Sequence, residues 1–211
     1  MSRPRLLLAD DHNLMLEGLR KLLEPEFEVV GTVDNGHDLL TAAESLQPDI
    51  ILIDISMPLC NGLDAARRLR QAGVGARLVF VTMHTDPEYV REAFRAGASV
   101  YLIKRAAGSE LLVALREVFR GRPYLTPLIN NGISASFVSE TSPVFETPEL
   151  TERHRQVLQL LAEGHTAKSI AELLEISPKT VEYHKACIMK RLGLRTTAEL
   201  TRYAIKHGLV S

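Results

Sequence analysis

This chain carries only two cysteines in 211 residues. Cys60 and Cys187 lie far apart and follow no metal-ligand spacing, so neither a disulfide framework nor a cysteine metal knot is supported, and a reducing compartment is the simplest setting. Neither cysteine is read as a nucleophile. No apolar run approaches the roughly 18–20 residues of a membrane span. The opening MSRPRLLLADD lacks the apolar stretch and small-residue cleavage site of a secretory leader, so a cytoplasmic protein with no membrane association is expected. There is no internal repeat and no low-complexity tract. Net charge is also small, −1 overall. That average conceals two parts: residues 1–120 carry 14 basic against 17 acidic side chains, residues 149–211 carry 10 against 7. A weakly acidic front and a basic tail point to different partners, although a solvated helical surface produces the same imbalance.

With 45% hydrophobic and 24% charged residues the chain can bury a core. Its first part alternates between two periods. Strand-like runs occupy Arg5–Ala9, 27–33, 49–53, Arg77–Thr82 and 100–103. Between them apolar residues recur three and four apart: Leu16, Leu19, Leu22 and Leu23; Leu39, Leu40 and Leu46; Val90, Ala93 and Phe94; Leu111, Leu112, Leu115, Val118 and Phe119. Strands alternating with helices at this pitch predict an α/β doubly wound domain with a five-stranded parallel sheet over 1–121. Residues 122–147 are rich in Ser, Thr, Asn and Pro and have no period, which reads as a linker. Residues 148–211 predict an all-α domain of four helices. Thr151, Thr166, Ser177 (followed by Pro178) and Thr196 are the caps, and Gly164, Gly193 and Gly208 the stops. The second and third are separated only by Glu175, Ile176 and Ser177, the spacing of a helix-turn-helix.

In an open parallel sheet, ligands bind beyond the carboxyl ends of the strands. Asp10 and Asp11 follow the first strand, Asp54 ends the third, Thr82 ends the fourth and Lys104 follows the fifth. Carboxylates converging there repel one another unless a cation shares them, and hard oxygen donors around open positions suit Mg2+. Lys104 adds a positive charge and Thr82 a hydroxyl donor, a set that fits a phosphoryl group on Asp54. Each residue alone has a plainer reading. Asp-Asp-His caps a following helix, Asp54 forms a turn, Thr82 is a β-branched strand end, and Lys104 is solvated. The conjunction of four strand ends in chain order is what carries weight.

These residues resemble the receiver domain of two-component response regulators, a flavodoxin-like fold, over about residues 3–122. The matching segments are LLLADDH, LIDISMPLCNG with Asp54, Met57, Pro58 and Gly62, VTMH with Thr82, and GASVYLIKRA with Tyr101 and Lys104. The resemblance implies that Asp54 takes phosphate from a histidine kinase, forming a 4-aspartylphosphate. It also implies that Asp11, Asp54 and the Ser56 backbone carbonyl, with Asp10 through a water, hold Mg2+. Thr82 and Tyr101 become a switch pair in which the hydroxyl turns to the phosphate and the ring follows inward. Ser56 and His84 flank the water approach and tune the phosphate's lifetime, in a direction the residues leave open.

The third tail helix presents Val181, His184, Ile188 and Leu192 inward at three- and four-residue steps, and Lys179, Glu182, Tyr183, Ala186 and Lys190 outward. A basic outward face on the second helix of such a pair fits a recognition helix in the DNA major groove. Contacts are expected from Lys179, Thr180, Glu182, Tyr183, Lys185, Ala186 and Lys190. The lysines mostly reach phosphates, and Glu182 can accept from cytosine N4. A solvated surface is the plainer alternative, and His184 reads as a packed, hydrogen-bonded core histidine. The tail resembles the LuxR-type helix-turn-helix, with one departure: His154 stands where that family usually has a Glu that completes a capping box with Thr151.

Receiver plus such a tail resembles the NarL/FixJ class of bacterial response regulators. The implied protein is a cytoplasmic transcription regulator, not an enzyme in its own right. Phosphorylated, it is expected to bind double-stranded DNA as a homodimer through its last helix, 197–207, with RNA polymerase as a further partner. Two rivals stand beside it. One is a tail that works by protein–protein contact. The other is a Mg2+-dependent phosphohydrolase using Asp54, which would want a second acid where Ser56 stands.

Overall fold

A computed structural model describes residues 3–122, 124–126 and 150–210, apart from the side chains of Glu88 and Leu125. The linker reading of 122–147 falls largely outside these residues. The chain divides into two compact units.

In the first unit the strands are β1 (Arg5–Ala9), β2 (Glu28–Val33), β3 (Ile50–Ile53), β4 (Arg77–Thr82) and β5 (Ala98–Ile103), alternating with α1 (Asn13–Leu23), α2 (Gly36–Leu46), α3 (Gly62–Gln71), α4 (Pro87–Arg95) and α5 (Ala107–Phe119). All strand pairs are parallel, in the order β2-β1-β3-β4-β5. The five strands read from the sequence are all present. A sixth, β6 (Tyr124–Leu125), pairs parallel to β5 through Val100 and Tyr101 and lies inside the stretch read as linker. Two residues carry no period, which is why the pattern did not reveal it.

β3 is apolar throughout, and β1 and β4 are apolar between Arg5 or Arg77 at their starts and the rim, because helices cover both faces. On one face Leu6, Leu8, Ile50, Leu52, Val79, Val81, Val100 and Leu102 pack against α1 and α5 through Leu16, Leu19, Leu111, Leu115 and Val118. The alternate residues, among them Leu7, Ile51, Ile53, Phe80 and Tyr101, are wholly buried on the other face. Each such leucine or isoleucine contributes about 1.5–3 kcal/mol by leaving water. The sheet is therefore a rigid platform, and its strand ends are fixed points.

The second unit comprises α6 (Glu152–Ala162), α7 (Ala167–Leu173), α8 (Pro178–Leu192) and α9 (Thr197–Lys206). All four expected caps form. Thr151, Thr166, Ser177 and Thr196 each accept the backbone N–H three residues on, and at α9 Glu199 reciprocates to complete a capping box. Gly193 ends α8 in the left-handed region, φ +67°, where a Cβ would be strained. Leu158, Ile170, Val181, Ile188, Leu200 and Ala204 form this unit's own core.

Candidate functional site

The parallel register brings the carboxyl ends of β1, β3, β4 and β5 to one rim. The ladder continues one bond past the strands, Asp54 N–H donating to the Ala9 carbonyl at 2.8 Å and Asp10 N–H to Val33 at 3.1 Å, so both aspartates are placed by the sheet itself. Asp10, Asp54 and Thr82 are buried. Lys104, on a 3-10 turn leaving β5, places its ammonium 2.8 Å from Asp10 Oδ2 and 2.8 Å from Asp54 Oδ2. Among the described residues nothing hydrogen-bonds to the buried Asp54 Oδ1. Asp10 Oδ1 accepts the His12 N–H, and the His12 ring lies 2.7 Å from Asp11 Oδ1. No side chain caps α1, so helix capping does not account for the Asp-Asp-His run.

Burial holds the Asp54 carboxyl above the ordinary carboxylate pKa, outweighing the nearby Lys104 charge, and Asp10 and Asp11 push the same way. Burial works against the Lys104 ammonium, but Asp54 and Asp10 more than offset it, and its pKa lies above the usual lysine value. Asp10, Asp11, His12 and Asp54 bring one ligand atom each to within 4.8 Å of one another. This donor set is dominated by hard oxygens, and it includes a desolvated carboxylate oxygen without a partner. It fits a divalent cation such as Mg2+. His12 was missed in the sequence, where it looked like part of a cap.

The turn after β3 explains Gly62. A Cβ there would sit 2.0 Å from the Asp54 carbonyl oxygen and 2.8 Å from Ile53 Cγ2, so only glycine lets α3 start against the backbone that carries Asp54. Around the rim, Ser56 Oγ lies 2.8 Å from His84 Nε2, and the His84 ring stacks on Tyr89 at 4.1 Å and 16°. Tyr101 is wholly inside, its hydroxyl donating to the His84 carbonyl at 3.0 Å, and the His84 N–H points to Thr82 Oγ1 at 3.4 Å. Burial, then Lys104, holds the His84 imidazole below its ordinary pKa.

On α8, Lys179, Glu182, Tyr183, Ala186 and Lys190 are exposed, while Val181 and Ile188 are buried. Thr180 and Lys185 are only half exposed, and the Thr180 hydroxyl is engaged at 2.8 Å with that of Ser177. His184 is packed, but not hydrogen-bonded as expected: its buried Nδ1 has no partner among the described residues. It meets the ring of buried His154, from α6, edge-on at 5.3 Å, and His154 Nδ1 is equally unpartnered. Burial, then Arg191 and His184, lowers the His154 pKa. His154 donates its backbone N–H to Thr151 without the reciprocal bond a glutamate would return.

Residues 6–116 match the family described as "Response regulator receiver domain", and residues 148–204 that described as "Bacterial regulatory proteins, luxR family". The transcriptional regulatory protein MctR of Rhizobium johnstonii is 36% identical over 209 residues, covering 98% of this chain and 95% of that protein. A LuxR-family two-component response regulator from Aurantimonas sp. superposes with a TM-score of 0.61 at 33% identity, covering 65% of this chain and 99% of its own. The RcsB response regulator of Salmonella typhimurium, at 23% identity and TM-score 0.59 over 98% of this chain and 100% of its own, shares the fold.

Proposed function

Since the chain belongs to the response regulators that join a receiver domain to a LuxR-type DNA-binding domain, we propose that Asp54 is its phosphoacceptor and that the phosphorylated protein binds DNA to regulate transcription. The observation that carries this is the unpartnered, buried Asp54 Oδ1 beside a lysine held on Oδ2. An Asp54 carboxylate oxygen attacks the phosphorus of a kinase phosphohistidine. The P–N bond breaks, and the imidazole leaves with a proton from solvent. Lys104 turns its ammonium from the two carboxylates to a phosphoryl oxygen, and the Thr82 hydroxyl donates to another. Asp11, Asp54 and the Ser56 carbonyl, with Asp10 alongside, would hold Mg2+, which when bound would neutralise part of the phosphoryl charge. Ser56 and His84, joined by a hydrogen bond across the two loops, stand where water returns to the acyl phosphate and tune its lifetime. Tyr101, inward and bonded to the His84 carbonyl, is the partner through which the state of Thr82 is passed on.

On the output side, α8 enters the major groove. Glu182, Tyr183 and Ala186 lie on the exposed face that meets base edges, with Thr180 at its start, while Lys179, Lys185 and Lys190 reach phosphates. A homodimer through α9 reads two half-sites about 34–36 Å apart. RcsB, of the same fold, has been solved as dimers on DNA. A shift from 1:99 to 99:1 in favour of that dimer needs about 5.5 kcal/mol of differential stabilisation. The setting is the bacterial cytoplasm, with a histidine kinase upstream and RNA polymerase downstream.

The test is labelling by a small phosphodonor with Mg2+, followed by selection of DNA sequences. Acid-labile phosphate is expected on the unaltered chain and not on Asp54→Asn, and phosphorylation should tighten DNA retention with a steep salt slope. Unchanged labelling of Asp54→Asn removes Asp54 from its role. Steady turnover of phosphate esters would favour the phosphohydrolase.

A further inference from the structure

We propose that Tyr89 is a positioning residue of the receiver site: its ring holds His84 in the plane that lets Nε2 engage the Ser56 hydroxyl, and through that bond sets how long Asp54 stays phosphorylated. The inference rests on the reading of Asp54 as phosphoacceptor.

His84 lies on the loop from β4 to α4, where Met83, Thr85 and Asp86 are exposed. Its backbone is fixed, the carbonyl by Tyr101 and the N–H toward Thr82. Backbone bonds leave both side-chain torsions of a histidine free, and one hydrogen bond at Nε2 fixes a point rather than a plane. The plane is set by the face contact with Tyr89, 4.1 Å between centroids and 16° from parallel. Tyr89 is a fixed wall. It is buried, the next residue Val90 and then Ala93 are in the core, and Arg67 of α3 ties Glu92 one turn further along α4.

Ser56 stands two residues past Asp54 and His84 two past Thr82. The Ser56–His84 bond therefore bridges the loops after β3 and β4, the adjacent pair on that side of Asp54. The bridge flanks one approach of water to the acyl phosphate, on the β4 side of Asp54, so the fraction of time it is closed enters the hydrolysis rate. A tyrosine ring face is the means by which α4 controls that fraction.

The experiment is a double-mutant cycle on the full chain, read as the first-order loss of acid-labile phosphate. Tyr89→Leu is expected to change the rate about two- to tenfold, the range an aromatic stack supports, in the same sense as His84→Ala. Tyr89→Phe, which keeps the face, is expected to lie closer to the unaltered chain than Tyr89→Leu does. Tyr89→Leu should add nothing once His84→Ala is present. An unchanged rate in Tyr89→Leu, additivity with His84→Ala, or a Tyr89→Phe that behaves like Tyr89→Leu would overturn the proposal. A second readout needs no phosphate. The His84 ring protons should carry an upfield ring-current shift that Tyr89→Leu abolishes and Tyr89→Phe retains, and its absence from the unaltered chain would also overturn it. A chain that takes up no phosphate would instead remove the reading of Asp54, and the ring shift would still decide whether the stack exists.

Discussion

Lys104→Met tests the electrostatic account of the acid cluster without reference to phosphate. The ammonium is 6% exposed and is shared at 2.8 Å by two carboxylates, each 3% exposed. Methionine keeps most of the apolar stem and deletes the charge, leaving Asp10 and Asp54 to repel each other in a poorly solvated rim. Removing one partner from a buried ion pair costs about 3–5 kcal/mol. Water reaches this rim past Asp11 and the largely exposed His12, so the lower end, about 3 kcal/mol, is the expected loss. With a urea slope of about 1.5–2 kcal/mol per molar, the unfolding midpoint falls by roughly 1.5–2 M. Peptide-resolved hydrogen exchange over β3 and β4 in chelator reads this unit separately from the other.

The loss should also depend on pH, with a fixed sign. Burial already holds the Asp54 carboxyl above its ordinary pKa, and without Lys104 it rises further. Between the ordinary carboxylate pKa and that raised one, the folded state binds a proton that the unfolded chain does not, so stability increases as pH falls. The deficit of Lys104→Met therefore shrinks on acidification, and Asp54→Asn combined with Lys104→Met recovers much of it at neutral pH. A loss below about 1 kcal/mol, the level of a surface pair, or one indifferent to pH and to the second substitution, would refute the reasoning.

Gly62→Ala forces a Cβ to within 2.0 Å of the Asp54 carbonyl oxygen. It is expected to cost at least about 3 kcal/mol in urea melts and to impair phosphate uptake. Ser177→Ala removes the α8 cap and should destabilise the helical unit by about 1 kcal/mol in the same assay. His154→Glu supplies the missing reciprocal bond at α6 and should gain about 0.5–1 kcal/mol at neutral pH. His154 has a lowered pKa in the folded state, so its neutral form contributes stability that is complete above the ordinary histidine pKa and is lost as pH falls through the folded one. His154→Gln should flatten that acid limb in thermal melts of the helical unit.

What the sequence made legible was local or periodic. β1, β3 and β4 are written as unbroken apolar runs, the four tail helices as caps and glycine stops, and the rim as acids, a threonine and a lysine at successive strand ends. α3 was less plain because it buries Gly62, Asp64, Ala65 and Ala66 beside Leu63 and Leu69. Small residues and a buried acid blur an apolar stripe that Leu and Val would have drawn. β6 is too short to have a period. The Ser56–His84, His84–Tyr89 and His154–His184 contacts join residues whose separation carries no helical or strand spacing in the first and third cases, and that flank a helix start in the second. Such pairs become visible only once the sheet or bundle is closed. The expected hydrogen bond at His184 failed for the same reason. Its inward direction followed from period, but what faces it is another imidazole, contributed by a helix thirty residues earlier.

The two units also differ in how the sequence encodes them, and the difference follows from the work proposed for them. Recognition of a regular surface needs side chains standing out from a helix, so α8 advertises its face at every third or fourth position. A phosphoryl site needs groups converging from separate elements, with desolvation raising each charge's influence on the next. The same sheet that drives apolar residues inward carries Asp54 into a place where one carboxylate oxygen has no partner and its ionised form is disfavoured. A folded core free to relax would have placed an amide or an apolar side chain there. The carboxylate is tolerated because Lys104, tethered to the end of β5 two strands away, reaches its other oxygen, and any ligand that brings a cation or takes up the free oxygen binds to a site whose strain it relieves. Stability forgone at the rim is therefore available as selectivity for the charged state, which is the physical condition a phosphorylation switch requires.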